Sequence, residues 1–252
     1  MDARDLAAAL ADPIQSLGAA FYFAEGTRES ASALGLNVYQ FYGLGRAGVM
    51  GDVEPAVVES VFAFFHPGVI DLIYTQPRTS HDPVTTAAAH LASTNAFADQ
   101  SFAGVAPGAL ADVARVAREV LDGVEVGRYP LVDGYYRSWD ESYDACHAAY
   151  RAVIALRELR GAVHVEAVSR AGLTPLEACY LQDPGVFALH GYAESDAPSV
   201  TADLTTRKER AEALTDEAMA HYLEPLGDDA RAALLEGVRA MAASLADPAA
   251  AR

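Results

Sequence analysis

Apolar residues recur along most of this chain at intervals of three and four, the spacing that puts them on one face of a helix. Ile14, Leu17, Phe21 and Ala24 keep that interval near the start. Leu110, Val113, Val116 and Val120 keep it in the middle, and Leu234, Val238, Met241 and Leu245 near the end. The pattern predicts helices over 1–11, from Asp12-Pro13 onward, over 27–34, 57–65 and 84–97, from Pro107-Gly108, and over 142–159, 206–223 and 228–245. Asp12 can cap a helix whose first turn accepts Pro13, Gly35 ends the 27–34 segment, and Pro225-Leu226-Gly227 separates the last two helices. The 57–65 segment holds Val58, Val61, Phe62, Phe64 and Phe65. It is apolar nearly all round and is therefore predicted to be central. His147, Tyr150, Ile154 and Arg157 line one side of the 142–159 helix. Segments 76–83 and 191–198 read as surface loops, 123–134 as the connection between halves, and 247–252 as a disordered tail.

Two stretches depart from this rhythm. Val38-Tyr39-Gln40-Phe41-Tyr42 and Val163-His164-Val165 are dense in β-branched or aromatic residues. Periodicity leaves the first open between a short strand and the first turn of a buried helix. Each stretch runs into an Arg-Ala-Gly triplet, Arg46-Ala47-Gly48 or Arg170-Ala171-Gly172. A proline-opened segment follows, at Glu54-Pro55 or Thr174-Pro175, and then a stop at Pro67-Gly68 or Pro184-Gly185. Proline suits the first helical position because its missing N–H has no helical partner there, and a Pro-Gly pair cannot continue a helix. The same signals in the same order indicate an internal duplication. Two unrelated helix–turn–helix pieces would share this punctuation too. The fold class expected is mainly α: tandem winged-helix-like repeats over 1–125 and 135–252 related by pseudo-twofold symmetry, with short β-hairpins or strands. The C-terminal amphipathic helices pack across the repeats or across a homodimer.

Charge narrows the partners. The chain has 18 Lys and Arg against 35 Asp and Glu, a net charge of −17. DNA affinity rests mainly on basic side chains neutralising phosphates, so the field of the whole molecule opposes duplex approach. Arg151, Arg157 and Arg160 have Glu158 among them, and Arg207, Lys208 and Arg210 are broken by Glu209, so both groups read as solvated faces. The candidate recognition segments 57–65 and 176–182 contain no Lys or Arg, which makes DNA an unfavoured partner. No apolar run approaches the ~20 residues that span a membrane. The alanine-rich 7–11 stretch is too short and too closely flanked by charge for a signal peptide. Cys146 and Cys179 lack CxxC spacing and read as buried thiols of a reducing cytoplasm.

Candidate chemistry is sparse. Gly43-Leu44-Gly45-Arg46-Ala47-Gly48 superficially resembles a phosphate-binding loop, but no Gly-Lys-Ser/Thr follows, and it reads as a flexible turn. The seven histidines show no HxxxH or HExxH spacing, and no G-x-S-x-G occurs, so neither a metal nor another cofactor is expected. Polar groups in apolar runs remain. On a strand His164 and Glu166 would share a face, and on a helix they would diverge. Burial or a neighbouring carboxylate would tune His164 for acid/base work; alternatively it is a structural histidine bonded to a turn carbonyl. Arg46 and Asp52 flank the first glycine-rich turn, either as a salt bridge closing it or with Arg46 orienting an anionic or enol-like ligand. Tyr39, Tyr42, Phe65 and Trp139 combine apolar surface with polar tips or neighbours and suit a pocket between the repeats.

The turn Gly45-Arg46-Ala47-Gly48-x-x-Gly51-Asp52-Val53, the stop Phe64-Phe65-x-Pro67 and the run from Arg160-Gly161 through His164-Val165 to Gly172-Leu173-x-Pro175-Leu176-Glu177-Ala178 resemble an actinobacterial helix-turn-helix family found in genomes rich in natural-product clusters. The resemblance covers roughly 10–245 and implies a tandem winged-helix-like fold. His66 stands where that family leads one to expect asparagine. The two last helices are similar to the dimerisation helices of MarR-type regulators. Together these readings lead to a cofactor-independent, cytoplasmic small-molecule enzyme of cyclase or dehydratase type. In it His164 and Glu166 are the catalytic candidates, and Arg46, Tyr42, Tyr39, Asp52, His66, Phe65 and Trp139 contact a hydrophobic substrate. The alternatives are a ligand-responsive winged-helix regulator and a non-catalytic binding protein.

Overall fold

A computed structural model describes residues 1–139 and 143–246. The predicted helix start at Ser142 and the predicted tail at 247–252 lie outside the described residues. Among those described there is no strand. The chain runs α1 (Ala3–Ala19), α2 (Glu25–Ala33), α3 (Val38–Gly48), α4 (Pro55–Val61), α5 (Pro67–Ile70), α6 (Gln76–Arg78), α7 (Pro83–Ser101), α8 (Pro107–Asp122), α9 (Pro130–Arg137), α10 (Ala145–Arg170), α11 (Pro175–Gln182), α12 (Pro184–Phe187), α13 (Ala202–Leu223) and α14 (Asp228–Ala246).

α10 is the axis of the molecule. Its residues 149–156 are buried on every side, the pattern of a helix surrounded by others. α1, α7, α8, α9 and α13 pack around it, and α14 lies across α1 and α8. This large core draws on both ends of the chain, from Leu6 to Met241. A second core joins α2, α3, α4, α5 and Leu131 of α9. A third, small core joins the end of α10, α11 and the start of α13, and Phe64 from the first half packs against it. Both C-terminal helices are thus engaged within the chain.

Several expectations are corrected. Ala3–Ala19 form one helix through Pro13, because the α1 face carrying Leu6, Leu10, Ile14 and Leu17 is buried, and that burial offsets the lost hydrogen bond. Val38-Tyr39-Gln40-Phe41-Tyr42 is helix rather than strand. Asn37 and Gln40 form a reciprocal capping box that starts α3 there. The 43–48 glycines lie inside α3, in formal G-x-G-x-x-G spacing but with no strand before them. An added Cβ would fall 2.6 Å from Ile73 O at Gly43, 2.6 Å from His90 Cβ at Gly45 and 2.0 Å from Pro83 O at Gly48. These glycines let α3 lie against α7 and the neighbouring turn. Val163-His164-Val165-Glu166 is likewise helical, continuing α10 past Gly161.

The 57–65 helix is shorter than predicted and peripheral. α4 stops before Phe62, and its buried side is reduced to Val58. The 76–83 loop is mostly structured: α5 passes through a π-helical turn, Asp71–Thr75, into α6. Pro77 has no N–H to return to Ile73, and the wider turn accommodates its ring. The 123–134 connection ends in α9, where Gly134 backs onto Val49 and Leu131 enters the second core.

The repeated punctuation is visible in the structure, in a different register from the sequence alignment. Gly51 and Gly172 are the counterparts: each has positive φ (98° and 79°) and precedes a proline-opened helix, α4 or α11. His66 and Asp183 then cap the short helices α5 and α12, each accepting the N–H of the glycine two residues on, at 3.0 and 2.8 Å. The Arg-Ala-Gly triplets are not equivalent, since Gly48 is the last residue of α3 while Gly172 lies beyond α10.

Candidate functional site

Tyr42 and Arg46 stand one turn apart on the inner face of α3, and Arg157 and Glu158 are neighbours on α10. Arg46 donates from Nε and Nη2 to the two Glu158 oxygens at 3.0 and 2.6 Å, a bidentate pair, and from Nη1 to the Tyr42 hydroxyl at 2.9 Å. Arg157 donates from Nη1 to Glu158 Oε1 at 3.0 Å and to the Tyr22 hydroxyl at 3.1 Å. The Glu158 side chain is 2% exposed, those of Arg46 and Arg157 10% and 15%. Two guanidiniums thus share one buried carboxylate and leave one positive charge over. Burial works to raise the Glu158 pKa, and the charges of Arg46 and Arg157 outweigh it and hold it below the ordinary value. Burial pushes the Tyr22 phenol well up, so it stays protonated.

Aromatic rings enclose this centre. The Arg46 guanidinium lies 4.3 Å over the Phe62 ring, and Arg157 5.4 Å over Tyr22. Tyr42 meets Tyr22 edge-on and Phe65 at 6.1 Å, and Phe65 meets His190 at 4.4 Å. His190 thus joins the second half to the first at this seam, and the His66 N–H donates to its carbonyl at 2.8 Å. Behind the seam, His90 is fully buried against Phe21, Tyr22 and Phe41, and neither of its ring nitrogens has a partner among the described residues. Burial first, then the charges of Arg151 and Arg46, lower its pKa to about 3. The Tyr135 hydroxyl and Arg157 Nε are also buried and without a protein partner among the described residues. Unpaired buried donors are uncommon in proteins and call for an explanation at each site.

The structure gathers only some of the sequence candidates. Arg46, Tyr42 and Phe65 come together. Asp52 does not join Arg46, which corrects the salt bridge proposed across that turn. Asp52 lies outside on the chain after α3 and accepts from Arg78 Nε at 2.5 Å, while Arg46 points inward to Glu158. Tyr39 is exposed in the first turn of α3, against Phe23. His66 is an exposed cap, and Trp139 sits away from the centre beside Arg118.

His164 and Glu166 diverge on α10. Glu166 meets Arg128 at the surface, at 3.3 Å. His164 Nδ1 lies 2.8 Å from Thr215 Oγ1, whose own proton goes to Ala211 O at 2.8 Å, so Nδ1 carries a proton and donates. Burial lowers the His164 pKa. Its ring borders a space of about 10 Å³ with Lys208 and Glu212. A water needs about that much room, and a substrate far more.

Sequence reasoning missed Glu158, Arg157, Tyr22, His90 and His190. Glu158 was visible as an acid inside an apolar helical stretch, yet its partner lies 112 residues away. Asp99, Asp144 and His147 bring metal-type donor atoms within 4.8 Å of one another. There His147 Nε2 contacts Asp99 at 2.7 Å, and Asp144 caps α10. No helix of the described residues is long and apolar enough to cross a membrane.

Neither a curated protein nor a solved structure matches the chain. Residues 7–190 match a helix-turn-helix family, a stretch that takes in the Arg46 centre, both proline-opened turns and the seam. The chain belongs to that helix-turn-helix family.

Proposed function

We propose that this helix-turn-helix protein binds a small molecule. The anionic or enolic end of the ligand is held by the charge of the Arg46–Glu158–Arg157 centre, and its apolar or aromatic body by Tyr42, Phe62 and Phe65. The observation that carries the reading is the charge count: two guanidiniums for one carboxylate, among aromatic rings that exclude water. In such surroundings one unmatched positive charge attracts an anion far more strongly than it would in water. The Tyr135 hydroxyl, unpartnered among the described residues, adds a donor of the same preference. The two helix–turn–helix pieces act in this reading as halves of a tandem pair that closes on the ligand.

Thermal shift with matched pairs of ligands tests it: aromatic carboxylates and phenolates against their amides and methyl ethers. A ligand that binds only the folded state raises Tm. The anionic members should raise Tm, and their neutral isosteres should not. Equal shifts, or none for any pair, would contradict the proposal.

A second reading is favoured by the family itself, a ligand-responsive regulator. Against it, neither α4 nor α11 holds a Lys or Arg, and the C-terminal side of α4 turns inward, with Phe64 at 5.6 Å from His164. Mobility shift on duplex DNA at low salt, where phosphate attraction is strongest, decides between them. We expect no complex, and a defined complex that the ligand releases would establish the regulator.

A further inference from the structure

Of the groups around the seam, His190 is held in a way that its neighbours do not require. Gly191 follows it with φ of 89°, a conformation that favours glycine, and an added Cβ there would lie 2.1 Å from Val69. The His66 N–H pins the His190 carbonyl against the start of α5. The His190 Nδ1 lies 2.9 Å from the Val186 carbonyl. A carbonyl only accepts, so Nδ1 carries the proton, and the lone pair is on Nε2. No hydrogen bond from a described residue reaches Nε2. The ring lies against Phe65, Phe65 against Tyr42, and Tyr42 bonds to Arg46. A fixed base and a buried cationic centre therefore flank one aromatic seam.

We propose that His190 Nε2 is the proton acceptor for a weak carbon acid bound at this seam, with the charge of Arg46 and Arg157 holding the oxyanion that forms. The substrate class is an aryl ketone or 1,3-dicarbonyl, which offers a flat body to lie against the rings and an oxygen that gains charge as the proton leaves. The C–H bond breaks, its proton passes to Nε2, and its electron pair moves through the C–C bond onto the carbonyl oxygen, giving an enolate. The proton then returns from Nε2 to a different atom of the same molecule. The net reaction is an isomerisation that needs no oxidant, reductant or second substrate. Each device is matched to a change in charge during reaction, which is where catalysis gains. Burial lowers the His190 pKa, the Val186 bond opposes this, and Arg46 adds to it, which favours the neutral ring whose Nε2 can accept a proton. Of the charged and titratable groups around it, Arg46 of α3 acts on its charge, and His66 at the cap of α5 bonds its carbonyl.

This inference rests on the ligand-binding reading, and one experiment separates the two. The probe is 5-nitrobenzisoxazole, which loses one C–H proton to a base and opens to the coloured 2-cyano-4-nitrophenolate. The full chain is assayed for turnover of the probe and, separately, for binding of the phenolate. His190→Asn keeps an amide that can donate to Val186 and removes the base; His190→Gln is the second variant. Wild type should turn the probe over saturably, with a rate that rises through a pKa below that of free histidine. Both variants should lose roughly a hundredfold in kcat/KM, with phenolate affinity within about threefold of wild type. Full activity in a variant that binds phenolate would overturn the assignment of His190. Wild type that binds phenolate without turnover would overturn the proton-transfer step and leave the binding reading standing. Wild type that binds no phenolate would overturn both.

Discussion

Glu158 is the residue on which the polar centre turns. It accepts from Arg46 twice and from Arg157 once, with its side chain almost wholly out of water. Removing one member of a buried ion cluster costs most when it strands the charges that remain. Glu158→Gln leaves two guanidiniums facing each other and should lower unfolding free energy by about 3–5 kcal/mol. Arg157→Met leaves a complete Arg46–Glu158 pair and should cost distinctly less. Urea unfolding of both variants checks the order, and an equal or reversed cost would contradict the pairing described. His90 supplies a second prediction at this scale. Its folded pKa, about 3, lies below its ordinary 6.5, so the unfolded chain binds the extra proton first. Its contribution is fully present above 6.5 and is lost as pH falls from there toward 3, a difference on the order of a few kcal/mol. The unfolding free energy of wild type relative to that of His90→Leu should therefore fall as pH is lowered through that window. Parallel curves would show that His90 does not titrate as its burial demands.

At the scale of elements, glycine has opposite meanings in two helices. In α3, Gly48 faces the Pro83 carbonyl so closely that a Cβ would sit 2.0 Å from it. In α10, an added Cβ at exposed Gly161 meets nothing within 4 Å. Gly48→Ala should separate α3 from α7 and lower Tm. Gly161→Ala should raise stability by about 0.5–1 kcal/mol, the difference in helix propensity. Thermal unfolding of the two variants reads both signs directly. Most helices were legible because their apolar stripes and proline or glycine boundaries are local signals, as in α8, α13 and α14. The stretches 38–48 and 163–166 were not. Dense aromatics with glycines resemble a strand and a loop; the first is held helical by the capping box at Asn37 and the packing of α3 on α7, and the second by the packing of α10 on α13. Gly51 and Gly172 both have positive φ ahead of a proline-opened helix, so the turn matching Gly172 lies at Gly51, three residues beyond the Gly48 that the Arg-Ala-Gly triplets would pair with it.

For the whole molecule, charge and fold family point in different directions. A net charge of −17 repels nucleic acid, while the family carries a name for helix–turn–helix pieces. The interior bears on this, because an unmatched positive charge lies buried among Tyr22, Tyr42 and Phe62 rather than on an outer face. Arg46, Tyr42 and Phe65 could be named from sequence because a polar anchor among aromatics is recognisable within one segment. Their partners could not, since Glu158, Arg157 and His190 reach them only through the tertiary fold. The central claim is that this charge binds an anion. Calorimetric titration of 4-nitrophenolate and 4-nitroanisole into wild type and Arg157→Met tests it most directly. A charge-assisted hydrogen bond contributes about 1.5–3 kcal/mol, and about 1.4 kcal/mol is tenfold in Kd. Wild type should prefer the phenolate by roughly tenfold or more, and Arg157→Met should lose that preference while it keeps its fold. Equal affinity for the two ligands, or a preference that survives in Arg157→Met, would contradict the account.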